Sequence, residues 1–187
     1  MTTDKKIKIL GIAGSLRAGS YSRALLENAK ILAPEQLEIE SFDLNNIPVF
    51  NQDFENSMTD EVKKFKEKIE QADAILLVTP EYNYSFSGIL KNAIDIASRP
   101  YGRNSWEGKP VAIISSTPGI LGGSRAQYQL RQVLVAVNMY PLNRPEVMIP
   151  AVNEKFDNDF NLTDDRTKEA IAKQLAALAD WTKKLAA

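Results

Sequence analysis

The thirteen residues G-I-A-G-S-L-R-A-G-S-Y-S-R, Gly11–Arg23, decide how the rest of the chain is read. They follow an apolar run, Ile7–Ile12, and lead into a helical pattern from about Ser22. The stretch holds three glycines, three serines and two arginines. Glycine lets a backbone approach a ligand closely. The hydroxyls of Ser15, Ser20 and Ser22 can donate hydrogen bonds, and the helix adds unpaired N–H groups at the positive end of its dipole. Arg17 supplies a planar fork suited to phosphate oxygens. The same composition also serves a plain helix cap, and the arginine tips the reading toward a phosphate site. The stretch lacks the Gly-Lys-Ser/Thr ending of a P-loop, and Gly11, Gly14 and Gly19 do not fit G-x-G-x-x-G. An ATPase and a dinucleotide turn are therefore disfavoured, and a mononucleotide phosphate remains.

Working outward, Ile7–Ala13 reads as a strand buried on both faces. Helix one spans about Ser22–Ala33, with Leu25, Leu26, Ala29 and Leu32 on one stripe and Pro34 as its stop. Gln36–Phe42 alternates as a strand. Asn45–Met58 is a long polar loop, and Thr59 caps a second helix whose first turn carries Asp60 and Glu61. Ala74–Thr79 is a buried strand, Ser87–Ala97 a third helix, Val111–Ser116 a fourth strand and Arg125–Val137 a fourth helix. Tyr140–Ile149 contains a fifth strand, and Asp164–Leu185 is a terminal helix. Five alternations predict an α/β three-layer sandwich: a five-stranded parallel sheet in order 2-1-3-4-5, the flavodoxin-like arrangement, with helices on both faces. No repeat, low-complexity segment or linker divides the chain, so residues 1–187 are expected to form a single domain.

Composition narrows the chemistry. Apolar residues make up 44% of the 187 and charged residues 25%, with a net charge of −1. Those values give no reason to expect nucleic-acid binding. No apolar run approaches a membrane span, and the lead M-T-T-D-K-K runs directly into a strand without a signal core, so a cytoplasmic location is expected. The chain has no cysteine and no histidine. That removes thiolate catalysis, iron–sulfur ligation, Ser-His-Asp triads and most zinc sites. Redox or group-transfer chemistry must then come largely from a bound cofactor.

In a doubly wound sheet, ligands bind beyond the carboxyl ends of strands where strand order reverses. The loops after strands one, three and four should converge there. The second of these, Pro80-Glu-Tyr-Asn-Tyr-Ser-Phe-Ser-Gly88, carries three aromatics and Asn83, a set that could line a planar ring. Covering the sheet edge or a subunit surface is the alternative use for Tyr82 and Tyr84. Ser116-Thr-Pro-Gly119 would close the other side with hydroxyls and a flexible glycine, while Gly122-Gly123 could be simple turn chemistry.

Three segments make the sequence recognisable: G-S-L-R-A-G-S-Y-S-R, P-E-Y-N-Y-S-F-S-G-I-L-K-N-A-I-D and G-G-S-R-A-Q-Y-Q-L-R. Together they resemble the NADPH-dependent FMN reductase family, most closely its chromate and quinone reductase branch, over about residues 7–150. The resemblance implies a flavodoxin-like fold with non-covalent FMN and with NADPH or NADH as co-substrate. It would place Ser15, Arg17, Ser20 and Ser22 on the phosphate, with Tyr21 in the same loop. It would set Pro80, Glu81, Tyr82 and Asn83 along the isoalloxazine through main-chain groups, and Ser116, Thr117 and Gly119 across from them. It also implies a homodimer or homotetramer, with Arg125, Tyr128 and Glu146 as candidates for a polar network between subunits. The implied mechanism is hydride transfer to the flavin and onward to a small-molecule acceptor (quinone, azo, nitroaromatic, chromate or flavin), in alternating half-reactions and without a catalytic side chain. Arg99 is a candidate at the pocket rim. Three other readings compete: a flavodoxin-like electron carrier, a reductase supplying free reduced FMN to a partner monooxygenase, and a non-enzymatic phosphate-binding module.

Overall fold

The computed structural model describes residues 6–186; residues 1–5, where the M-T-T-D-K-K lead begins, and residue 187 lie outside them. The elements are β1 (Ile7–Ala13), α1 (Tyr21–Leu32), β2 (Leu37–Phe42), α2 (Asp60–Gln71), β3 (Ala74–Tyr82), β4 (Ser85–Phe86), α3 (Gly88–Ala97), β5 (Pro110–Ser116), α4 (Ser124–Ala136), β6 (Tyr140–Pro141), β7 (Val147–Ile149) and α5 (Asp165–Ala186). The sheet runs β2-β1-β3-β5-β6, with β7 also paired to β5 and β4 paired to β3. All pairings are parallel except β3 with β4. This is the expected flavodoxin-like order, in a somewhat larger sheet.

Residues alternate across the sheet to build two cores. Leu10, Ile12, Ile75, Leu77, Val111 and Ile113 face Val62, Phe65 and Ile69 of α2, Leu90 and Ile94 of α3, and Leu130 and Leu134 of α4. Ile9, Leu76, Val78, Ala112 and Ile114 face Leu25, Leu26 and Ala29 of α1 and Ile171, Leu175 and Leu178 of α5. Each such side chain is at most 2% exposed except Val62 at 4%, and full burial of a Leu- or Ile-sized group contributes about 1.5–3 kcal/mol.

Two expectations change. Strand three does not stop at Thr79: it continues through Pro80–Tyr82 and turns back as β4, so this segment is a hairpin rather than a loop. The turn residues Asn83 and Tyr84 have φ of +50° and +67°, the left-handed pair that matches strand twist in a two-residue hairpin. The fifth strand is two short pieces, β6 and β7: after the Leu142 N–H bonds Val111 O, residues 143–146 leave the ladder at a segment containing Pro145, which has no N–H to give. Among the described residues no helix is long and apolar enough to cross a membrane.

Candidate functional site at the carboxyl edge of the sheet

Register brings the three segments to one level. Ala13 pairs with Val78, Val78 with Ile114, and Pro80 with Ser116. The Gly14 N–H extends the β1 ladder to Val78 O at 2.8 Å. Beyond this line stand residues 14–20, the β3–β4 hairpin and residues 117–123.

In the first segment, α1 begins one residue earlier than the sequence pattern, at Tyr21, and Ser20 is its cap: the Ser20 hydroxyl accepts the Arg23 N–H at 3.4 Å. Ser15, Ser20 and Ser22 are buried, whereas Arg17 is exposed. The Arg17 N–H donates to the Ser15 hydroxyl, and among the described residues its guanidinium donates only to Gly19 O at 3.3 Å. No acidic residue lies in the first turn of α1. A helix mouth with the Tyr21 and Ser22 N–H groups uncapped, hydroxyls beside it, an exposed guanidinium and no acidic residue in its own first turn suits an anion; the Asp43 carboxylate beside it is paired with the Arg23 guanidinium at 3.6 Å. The glycines serve packing more than ligand approach. A Cβ on Gly11 would meet Leu26 at 2.4 Å, and one on Gly14 would meet the Ser87 hydroxyl at 2.6 Å. The Tyr21 ring packs against Phe156 and Phe160, with centroids 5.6 and 5.8 Å away.

The hairpin reaches across to α4. The Glu81 carboxylate accepts the N–H groups of Arg125 and Ala126 at 3.1 and 3.3 Å, capping a helix whose cap residue Gly123 offers no side chain. The Arg125 guanidinium lies 3.5 Å from Glu81 and 4.1 Å from the Tyr84 ring centroid, and Gln129 donates to Tyr84 O at 2.9 Å. Arg125 is thus tied within its own chain rather than to Tyr128 and Glu146. Those two meet each other, Tyr128 donating to the Glu146 carboxylate at 3.3 Å. The cap by Glu81 was not readable from the sequence; the bare Gly123 before α4 was the available signal.

The third segment is held by β7 and by Ala151 and Val152 just beyond it. Thr117 N–H donates to Ile149 O, Ala151 N–H to Gly119 O, and Val152 N–H to Thr117 O, at 3.1–3.2 Å. Ser116 is buried, and the Thr117 hydroxyl accepts the Gly119 N–H. Gly122 and Gly123 are more than turn residues. Their φ values are +62° and +81°, and a Cβ would come within 2.7 Å of Met148 C or 2.9 Å of Ser115 Cβ. Arg99 lies elsewhere. It follows the C-terminal end of α3, about 15 Å along that helix from the crevice. There it lines a groove of about 1420 Å³ between α3 and α4.

The model of the family described as NADPH-dependent FMN reductase matches residues 7–154. An NAD(P)H-dependent FMN reductase of Pseudomonas aeruginosa is 48% identical over 180 residues, covering 96% of this chain and 97% of its own length. An NAD(P)H:quinone oxidoreductase of Solanum tuberosum is 43% identical over 99% of this chain and 97% of its own. Among solved structures, the flavoenzyme NAD(P)H:(acceptor) oxidoreductase FerB from Paracoccus denitrificans superposes with a TM-score of 0.88 at 36% identity, covering 95% of this chain and 98% of that one.

Proposed function

The chain belongs to the NADPH-dependent FMN reductase family, and from that premise we propose that it is an FMN-dependent NAD(P)H oxidoreductase with quinones as its acceptor class. The observation that carries the reading is the mouth of α1, with no acidic residue in its first turn and with Ser15, Ser20 and Arg17 around it, set beside the ends of β3 and β5. FMN, when bound, supplies a ring that takes a hydride from a reduced nicotinamide and passes electrons to an oxidised acceptor. Ser15, Arg17, Ser20 and Ser22 with the first amides of α1 would hold the phosphate, and Tyr21 would fix the loop from behind. Main-chain groups of Pro80, Glu81, Tyr82 and Asn83 would flank one side of the ring, and Ser116, Thr117 and Gly119 the other. Their part is to bind and orient, and to donate hydrogen bonds toward developing negative charge.

NAD(P)H and the acceptor would occupy the same place in turn, giving alternating half-reactions. Quinones come first because relatives carry that activity in their names; azo and nitroaromatic compounds, chromate and free flavin are the comparators. The reading takes residues 1–187 as one FMN-binding unit in the cytoplasm that self-associates as a homodimer or homotetramer. Both cores flank the one sheet, and Tyr128 stays half-exposed beside Glu146, in keeping with those parts of it. The test is an anaerobic absorbance spectrum before and after NADPH. A flavin spectrum that bleaches and returns with benzoquinone supports the proposal. A protein that is colourless and takes up no added FMN refutes it, and a yellow protein bleached by neither nicotinamide favours an electron carrier.

A further inference from the structure

Residues 155–163 lie beyond the segment matched by the family model, yet they pack against the phosphate-binding turn. They form a tight, locally bonded loop. Phe156 and Leu162 make an antiparallel bridge, and Thr163 N–H donates to Lys155 O at 2.8 Å. The Asp157 carboxylate gathers the N–H groups of Asp159 and Asn161 at 3.0 and 2.8 Å.

From this loop two contacts cross to the turn and its helix. The Phe160 ring lies over Gly19, where a Cβ would stand 3.5 Å from the ring tip, and it shares the Tyr21 ring with Phe156. Two turns further along α1, the Asn28 amide donates to Phe160 O at 3.1 Å and accepts Leu162 N–H at 3.0 Å. An amide that satisfies one acceptor and one donor of the same loop fixes its register on the helix. Phe160 has φ of +60°, a conformation costly for a residue with a side chain, and it is held there by these bonds. Gly19 and Tyr21 bracket Ser20, the α1 cap, so the ring presses on the backbone that presents the first amides of the helix.

We infer that Phe160 and Asn28 are positioning residues for the phosphate of the bound flavin: the loop they join holds the Gly19–Tyr21 backbone in its binding geometry before the ligand arrives. The inference rests on the FMN reading above. Preorganisation of this kind shows as affinity, because an unconstrained turn must be ordered at the moment of binding. It acts on the phosphate end alone, since the hairpin and residues 116–119 have their own supports.

The experiment compares FMN with riboflavin, which has the same ring and no phosphate, by fluorescence titration of apoprotein. Phe160→Gly removes the ring while glycine accepts φ of +60°; Asn28→Ala removes both loop ties; Phe160→Tyr restores the ring. In Phe160→Gly and Asn28→Ala the FMN Kd should rise about tenfold. Their riboflavin Kd should stay within about twofold of wild type, and Phe160→Tyr should match wild type. Equal weakening of both flavins, or none for FMN, overturns the inference while wild-type FMN binding leaves the FMN reading standing. A wild-type protein that binds neither flavin overturns both.

Discussion

Replacing Glu81 separates a structural carboxylate from a ligand-binding one. Its carboxylate accepts two first-turn amides of α4, at 3.1 and 3.3 Å, where Gly123 cannot cap. Loss of a capping side chain costs about 0.5–2 kcal/mol. The negative charge at a helix start is worth about 0.3–1 kcal/mol, part of which the capping figure already contains. The Arg125 partner is 45% exposed at 3.5 Å, so that pair adds little. Glu81→Ala should therefore lose about 2 kcal/mol, and for a chain of this size Tm should fall about 4–8 °C. Glu81→Gln keeps an acceptor oxygen and loses the charge, so it should fall about 1–4 °C. Because the proposed flavin contacts at this position are main-chain, FMN Kd in Glu81→Ala should stay within about threefold of wild type. Thermal melts of apoprotein and FMN titration check both numbers. A Tm shift below about 1 °C together with lost FMN binding would show the side chain facing the ligand, and the capping argument would be wrong.

Arg17→Ala removes an exposed guanidinium whose only bond among the described residues is to Gly19 O; FMN Kd should rise about tenfold with riboflavin unaffected, and parallel titrations decide it. Gly123→Ala forces a side chain into φ of +81° with its Cβ 2.9 Å from Ser115 Cβ; the loss should be about 3 kcal/mol or more, read as a lower urea midpoint at unchanged m-value. Hydrogen bonds from the Thr167 hydroxyl and the Lys155 ammonium hold the Asp164 carboxyl at a pKa of about 2, below its unfolded value. Its contribution is full above pH of about 4 and is lost as pH falls toward 2. Acid melts of Asp164→Asn should decline less between those pH values than wild type; equal slopes would refute the assignment.

The fold was legible because its signals are local. Continuous apolar runs marked β1, β3 and β5, and Ser20, Thr59 and Ser87 each sit at a helix start where their hydroxyls accept a first-turn N–H. Strand order then followed from alternation and crossover handedness. What escaped the sequence joins residues far apart along the chain. Glu81 caps a helix 44 positions on. Lys66, placed on an apolar helix face, is buried with its ammonium on the carbonyls of Ala97, Arg99 and Arg103, each at 2.8 Å, and so ends α3 and holds the turn after it. Asn28 reads a loop 132 positions away. A side chain of this kind looks like any surface polar residue until the fold supplies its partner. The hairpin is a different case: Pro80 and Glu81 are poor strand formers, and the backbone extends there because Pro80 pairs with Ser116 of β5 and the left-handed pair Asn83-Tyr84 folds β4 back onto Glu81.

The distribution of carboxylates over the five long helices supports the position of the proposed anion site independently of any motif. Asp60 and Glu61 stand in the first turn of α2, Glu81 reaches α4 from the sheet, and Asp164 bonds the Thr167 amide at the start of α5. Each positive helix end thereby has a resident negative charge. Two helices begin without one, α1 and α3. At α3 the Ser87 hydroxyl accepts the Leu90 N–H, and Ser87 is 1% exposed, with its hydroxyl against Gly14. That mouth is closed by the turn it supports. At α1 the turn stands open with Arg17 in solvent, and the nearby Asp43 pairs with the Arg23 side chain at 3.6 Å, so of these two helix ends the open one is the one furnished with hydroxyls and a guanidinium. A cap selected for stability alone gains from an acidic residue in the first turn; its omission here is what a helix reserved for an external phosphate requires.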